Sequence, residues 1–248
     1  MIKNKDIYDF LCEKYPLNTA CDFDNPGFLV GDEDIKADRV LVTLDCDLKA
    51  VQSAKALGCN LIITHHPVIF DPLKTVTKGS VVFELIENGI SVISMHTNLD
   101  IGECGVNDCL CKALHLKNVE IFEAADGFKL RKGVSDESDP DRLAESIKKQ
   151  LGGTVRYVAG RPIKNALVCS GSGGDFLADA IKGGFDALIT SDVKHNVFLD
   201  ALNAGISLFD AGHYHTENVV IDPLCDMLKA RFNDIEFIPF ENKYIKGI

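Results

Sequence analysis

Short β-branched and aliphatic runs alternate with amphipathic stretches along the whole chain, the pattern of an α/β protein whose strands are mostly parallel. Asn4 to Tyr15 puts Ile7, Phe10 and Leu11 on one face and predicts a helix stopped by Pro16. A strand is predicted over Arg39 to Leu44. Asp47 then offers an N-cap to a helix running to Leu57, with Gly58 as its C-terminal stop. Further strands are predicted at Asn60 to Thr64, Ile90 to Ser94, Val119 to Glu123 and Ile206 to Phe209, and a helix over Val106 to Leu114.

The second half repeats the plan of the first. Sliding residues 40–66 onto 166–192, a constant offset of 126, aligns Leu41/Leu167, Val42/Val168, Ala54/Ala180, Gly58/Gly184, Ile63/Ile189 and Thr64/Thr190 without a gap. Gly89-Ile90-Ser91 then matches Gly205-Ile206-Ser207 at an offset of 116. The order strand, helix, glycine stop, strand recurs, as expected for a duplicated unit. Two related α/β domains follow, 1–126 and 127–248, with the polar stretch Lys129 to Asp141 as the expected connection.

Composition narrows the function. With 26 basic and 37 acidic residues the net charge is −11 and no basic stretch stands out, which argues against nucleic acid as a partner. Apolar runs such as Leu61 to Ile63 and Val81 to Phe83 are far too short to span a membrane. Positive charge at the start has no apolar block behind it, so no signal peptide is read and the cytoplasm is the expected compartment. The nine cysteines are scattered without a Cys-x-x-Cys, and reduced, half-buried thiols are expected rather than disulfides or a thiolate metal site.

Six of the seven histidines, His65, His66, His96, His195, His213 and His215, lie just after predicted strands or in the loops that follow. Ligands bind beyond the carboxyl ends of parallel strands, so this is where a site is expected. Thr64-His65-His66-Pro67 closes an apolar strand. Pro67 ends the ladder there, and both rings can turn toward one cavity, one for each of two neighbouring metal ions; a solvated strand end is the plainer alternative. His96-Thr97-Asn98-Leu99-Asp100 adds a carboxylate after another strand. In Gly212-His213-Tyr214-His215-Thr216-Glu217 a helical turn brings His213 and Glu217, four residues apart, to one face, where they can hold one centre; Pro223 restricts how far such a helix extends. Two elements from the first half and one from the second predict a site between the domains. Lys194 and His195 either line that cleft for an anionic ligand or start a helix.

With these segments on the page, the chain resembles the GTP cyclohydrolase 1 type 2 homologues, also called Nif-three-like proteins. The resemblance runs over essentially the whole chain and is carried by Asp24-Asn25-Pro26-Gly27-Phe28-Leu29-Val30-Gly31, Ile63 to Phe70, His96 to Asp100, Thr190 to His195, and Asp210 to Tyr214 with Glu217. It implies two related α/β domains without an inserted third, and a dinuclear metal site in the cleft between them. His65, His66, Asp100, His213 and Glu217 match the family's metal ligands, with Glu217 as a bridge. His96 matches a position close by, and His96 and His195 are the candidate catalytic acid/base groups. A ligand set of nitrogen and oxygen without cysteine favours two divalent ions of zinc, iron, manganese or nickel.

The resemblance further implies a hydrolase that directs water at C8 of the guanine ring of GTP and releases formate, working as a homohexameric ring on a small molecule. No phosphate-binding loop or nucleotide fingerprint occurs in the chain, so the residues themselves do not identify GTP. The competing reading, from another class, is a metal-handling or regulatory interaction protein without turnover. Gly127-Phe128-Lys129-Leu130-Arg131 departs from the Gly-x-Gly-Arg turn frequent in the family, and Asp24-Asn25-Pro26-Gly27 also reads as a plain turn with Pro and Gly in its central positions.

Overall fold

The protein is described from a computed structural model, which covers residues 1–242. In chain order, α1 (Asn4–Lys14) precedes β1 (Gly27–Val30), β2 (Arg39–Thr43), α2 (Leu48–Leu57), β3 (Leu61–Thr64), α3 (Val81–Glu87), β4 (Ser91–Ser94) and the single-turn α4 (Thr97–Ile101). There follow α5 (Val106–Ala113), β5 (Lys117–Glu123), β6 (Lys129–Val134), α6 (Pro140–Leu151), β7 (Arg156–Val158), β8 (Asn165–Ser172), α7 (Leu177–Lys182), β9 (Ala187–Ser191), α8 (His195–Ala204), β10 (Ser207–Asp210), α9 (His213–Glu217), α10 (Ile221–Arg231) and β11 (Glu236–Pro239).

The chain divides into two compact units. The first takes Met1–Gly102 together with Ile221–Asn242; the second takes Glu103–Val220. This division differs from the expected one at 126/127, because backbone pairing crosses it twice. Strand β11 returns to lie parallel to β2, Phe237 beside Val40, and β5 pairs antiparallel with β6, Phe122 beside Leu130. The polar stretch expected to connect the domains instead begins as strand β6 and ends in the first turn of α6. Leu130, Arg131 and Gly133 of this strand are buried while Lys129 is exposed.

The first unit carries one sheet in the order β1-β4-β3-β2-β11 and the second a sheet in the order β5-β6-β8-β9-β10-β7. Strands β3, β4, β9 and β10 are buried at every position, as expected of parallel strands covered on both faces. Leu41, Ile62 and Val92 pack with Val51, Ala54 and Leu85 in the first core; Leu167, Leu188 and Leu208 pack with Leu177, Ala180 and Phe198 in the second. Local signals act as predicted in α2, where Asp47 accepts from the Ala50 amide and Gly58 turns the chain left-handed at φ +70°.

The repeated frame holds to the residue. Val40 sits beside Leu61 and Leu61 beside Ser91; at the offsets found in the sequence, Ala166 sits beside Ala187 and Ala187 beside Ser207. Each trio of parallel strands is flanked on its last member by an antiparallel strand, β1 on β4 and β7 on β10. The one-turn helices α4 and α9 leave the ends of β4 and β10 at the same offset of 116. The nine cysteines are free thiols, five of them buried. No helix among the described residues is long and apolar enough to cross a membrane.

Gly127 turns left-handed at φ +87° between β5 and β6, and Arg131, only 3% exposed, reaches from β6 to Asp108 on α5 through two hydrogen bonds, that from Nη2 to Oδ2 being 3.1 Å. The residues that depart from the family's turn thus brace helix to sheet within the second unit. Arg131→Ala leaves Asp108 without its buried cation, and we expect a loss of about 3 kcal/mol. That lies at the low end for breaking a buried pair, because Asp108 keeps part of its hydration. A urea midpoint unmoved relative to the unsubstituted protein would contradict this.

Candidate metal centre

In the first unit the apolar run Leu61–Thr64 ends at the ladder's edge, and His65 and His66 follow with ring centroids 4.9 Å apart. His96 caps α4 just after β4, its ring 5.1 Å from that of His65 and 5.5 Å from that of His66. One nitrogen from each of the three lies within 4.8 Å of the others. Each ring is steered through Nδ1: His65 to the Met95 carbonyl, His66 to Asp45 Oδ1 and His96 to Asp24 Oδ1, all at 2.8 Å. A carbonyl can only accept, so the His65 proton sits on Nδ1 and its lone pair on Nε2. That Nε2 faces Asp100 Oδ1 at 3.6 Å. Two electron-rich atoms at this separation favour a cation near them, and support of the far nitrogen by an oxygen acceptor is the usual second layer of a histidine metal site.

Asp24 is the anchor of this half. Its side chain is fully buried and accepts from His96 Nδ1, the Thr97 amide at 3.0 Å and the Thr97 hydroxyl at 2.5 Å. Burial alone would push its carboxyl up, but the His96 and Thr97 hydrogen bonds outweigh that and hold it down at about 2.

In the second unit, α9 places His213 Nε2 3.1 Å from Glu217 Oε1, and His213 Nδ1 lies 2.6 Å from Asp192 Oδ2. Helix α9 ends at Glu217 and Pro223 lies in the first turn of α10, outside the helix that carries the pair. The hydrogen bond to Glu217, opposed by burial and aided by Asp192, raises His213 to about 9. His213 thus carries its charge between two carboxylates near neutral pH. Gly171 makes room for this pair. It lies where the β8–β9 register shifts, at φ +59°, and a Cβ there would overlap Glu217 Oε1. The residues in both units fit a divalent ion by donor chemistry, and the second by a backbone cleared around its carboxylate.

Five predicted residues therefore fall into two sets, His65, His66 and Asp100 in one unit and His213 and Glu217 in the other. His96 joins the first set. His195 opens α8 as an exposed residue three positions after Asp192, and His215 turns away to the Leu151 carbonyl at 3.1 Å. The orienting carboxylates Asp45 and Asp192 and the cleared backbone of Gly171 were not singled out from the sequence. Their signals are weak ones: an acidic residue one or two positions past a buried strand, and a glycine-rich strand end, Ser170 to Gly174.

The chain as a whole is similar to known proteins. The family described as Duf34/NIF3 (NGG1p interacting factor 3) matches residues 2–244. A Clostridium acetobutylicum protein named GTP cyclohydrolase 1 type 2 homolog is 33% identical over 232 residues, covering 87% of this chain and 85% of its own. A Campylobacter jejuni protein of the same name is 33% identical over 241 residues, 92% of each chain. The solved Staphylococcus aureus hypothetical protein SA1388 superposes with a TM-score of 0.92 at 29% identity, covering 99% of each chain. Reduced HcgD from Methanocaldococcus jannaschii superposes at 0.83 with 28% identity, covering 96% of this chain and 97% of its own.

Proposed function

Because the chain belongs to the Duf34/NIF3 family, we propose that it is a metal-dependent hydrolase of a small, nucleotide-like substrate, with GTP opened at its guanine ring as the reference reaction. In this reading two divalent ions are shared among His65, His66, Asp100, His213 and Glu217, and the chain works as a homohexamer in the cytoplasm. The observation that carries it is the trio His65, His66 and His96, whose rings are each held through Nδ1 at 2.8 Å by an oxygen acceptor. Three imidazoles locked in this way are oriented for ligation or proton transfer, not for solvation.

When bound, divalent ions at such ligands supply Lewis-acid activation of water near neutral pH. The residues do the rest. Asp100 and Glu217 offset cationic charge, while the Met95 carbonyl and Asp45 fix the tautomers of His65 and His66. His96, oriented by Asp24, is the group that takes a proton from the attacking water and returns it to the leaving nitrogen. His195, exposed at the start of α8, meets the anionic end of the substrate together with Lys194.

Protein loaded with excess Zn²⁺ or Mn²⁺ is expected to hold two ions per chain by elemental analysis and to release formate from GTP. One ion or none would overturn the dinuclear centre. Two ions with rapid exchange and no formate would overturn the hydrolase in favour of a metal-handling protein. A solution mass near one chain by light scattering would refute the hexamer.

A further inference from the structure

We propose that Phe23 and Phe70 form an aromatic platform that seats a planar heterocycle of the substrate beside the imidazole trio. The proposal rests on the hydrolase reading and narrows its substrate to molecules with a flat aromatic ring, as in a nucleoside.

Both side chains are open to solvent, Phe23 at 66% and Phe70 at 45% exposure. Their ring centroids lie 6.4 Å apart, and Phe70 meets the His96 imidazole edge to face at 6.3 Å and 79°. The row Phe23, Phe70, His96 thus leads from open surface to the chemistry in two ring contacts. Neither phenylalanine sits on a loose loop. Asn25 Nδ2 donates to the Ile69 carbonyl at 2.7 Å, tying the segment of Phe23 to that of Phe70. Asp24, the next residue after Phe23, holds His96 and Thr97. Phe70 is only four positions beyond His66, past the Pro67 that ends the strand.

An exposed phenylalanine gains nothing from hydration, and two of them held at fixed places beside a polar cluster present a flat apolar face at low entropic cost on binding. A heterocycle stacked there places its polar edge within about one ring's breadth of His96. A purely aliphatic or phosphate ligand would leave the pair unused. The same contact explains how a chain with no phosphate-binding fingerprint could choose a nucleoside: by its base and not by its phosphates.

The test measures binding of guanosine, adenosine and ribose 5-phosphate to Zn²⁺-loaded protein by calorimetry, with ion content and solution mass checked for each variant. Phe70→Ala is expected to weaken both nucleosides by roughly tenfold or more, the scale of losing one base-stacking ring, and to leave ribose 5-phosphate unchanged. Phe23→Ala should act in the same direction, and Phe70→Trp should restore nucleoside binding. Unchanged nucleoside affinity in Phe70→Ala, or nucleosides bound by the unsubstituted protein no better than ribose 5-phosphate, would overturn the platform. A fall in solution mass in Phe70→Ala would overturn it too, making this face a contact between copies. Nucleoside binding that depends on Phe70 without formate release supports the platform and strikes the hydrolase reading alone.

Discussion

Glu217→Gln is expected to cost the protein more divalent-ion affinity than the roughly 10–100-fold typical of losing a supporting partner, because an amide cannot offset cationic charge. The substitution also has a readout that needs no metal. The Glu217 hydrogen bond is the largest cause holding His213 at about 9, so in the metal-free variant that histidine should titrate well below 9, toward its ordinary 6.5, with Asp192 retaining part of the shift. The folded value is raised above the unfolded one. The pair therefore stabilises the metal-free protein fully below about pH 6.5, and the gain is lost as pH rises through about 9. In Glu217→Gln that window should flatten. NMR titration of His213 at an unchanged value would remove Glu217 as the cause. Retention of both ions would end its proposed role as a bridge while leaving the other proposed ligands standing.

The strand ends were legible because two independent signals coincide there. An apolar run says that a strand is buried, and Pro67 after β3 and Gly212 after β10 say where it stops, so His65, His66 and His213 could be placed beyond those strands from the sequence; His96 was placed beyond β4 by the end of its apolar run alone. Spacing alone put His213 and Glu217 on one face, and their atoms meet at 3.1 Å. The β5–β6 hairpin was not legible. Val119 to Glu123 reads as a strand, but every residue of β5 except Phe122 is exposed, so nothing in it announces a partner, and β6 carries three basic residues, one of them the buried Arg131, and reads as a polar connection. The place of β11 was hidden for a different reason. Its parallel partner β2 lies nearly the whole chain away, and a four-residue run carries no information about which strand edge it will join. Asp45 and Asp192 were missed on the same ground as the hairpin, since a lone acidic residue in a loop looks like solvated surface until the fold brings an imidazole to it.

Asp24→Asn is expected to destabilise the protein by on the order of 2 kcal/mol at neutral pH, with the loss confined to conditions in which the carboxylate is charged. The estimate follows from the carboxyl's displacement from 3.8 to about 2, at 1.36 kcal/mol for each unit. Full burial of the side chain means that solvent does little to screen it. The folded value lies below the unfolded one, so the contribution is fully present above about pH 4 and fades as pH falls through about 2. The amide can still accept from Thr97 through its oxygen, but it meets His96 Nδ1 without a charge, and the ring loses the partner that fixed its proton on that side. Denaturation of the two proteins compared between pH 2 and pH 7 should therefore show curves that separate above pH 4 and converge toward pH 2. Parallel curves across that range would mean that the loss is one of shape and packing, and that Asp24 holds His96 by geometry without contributing charge.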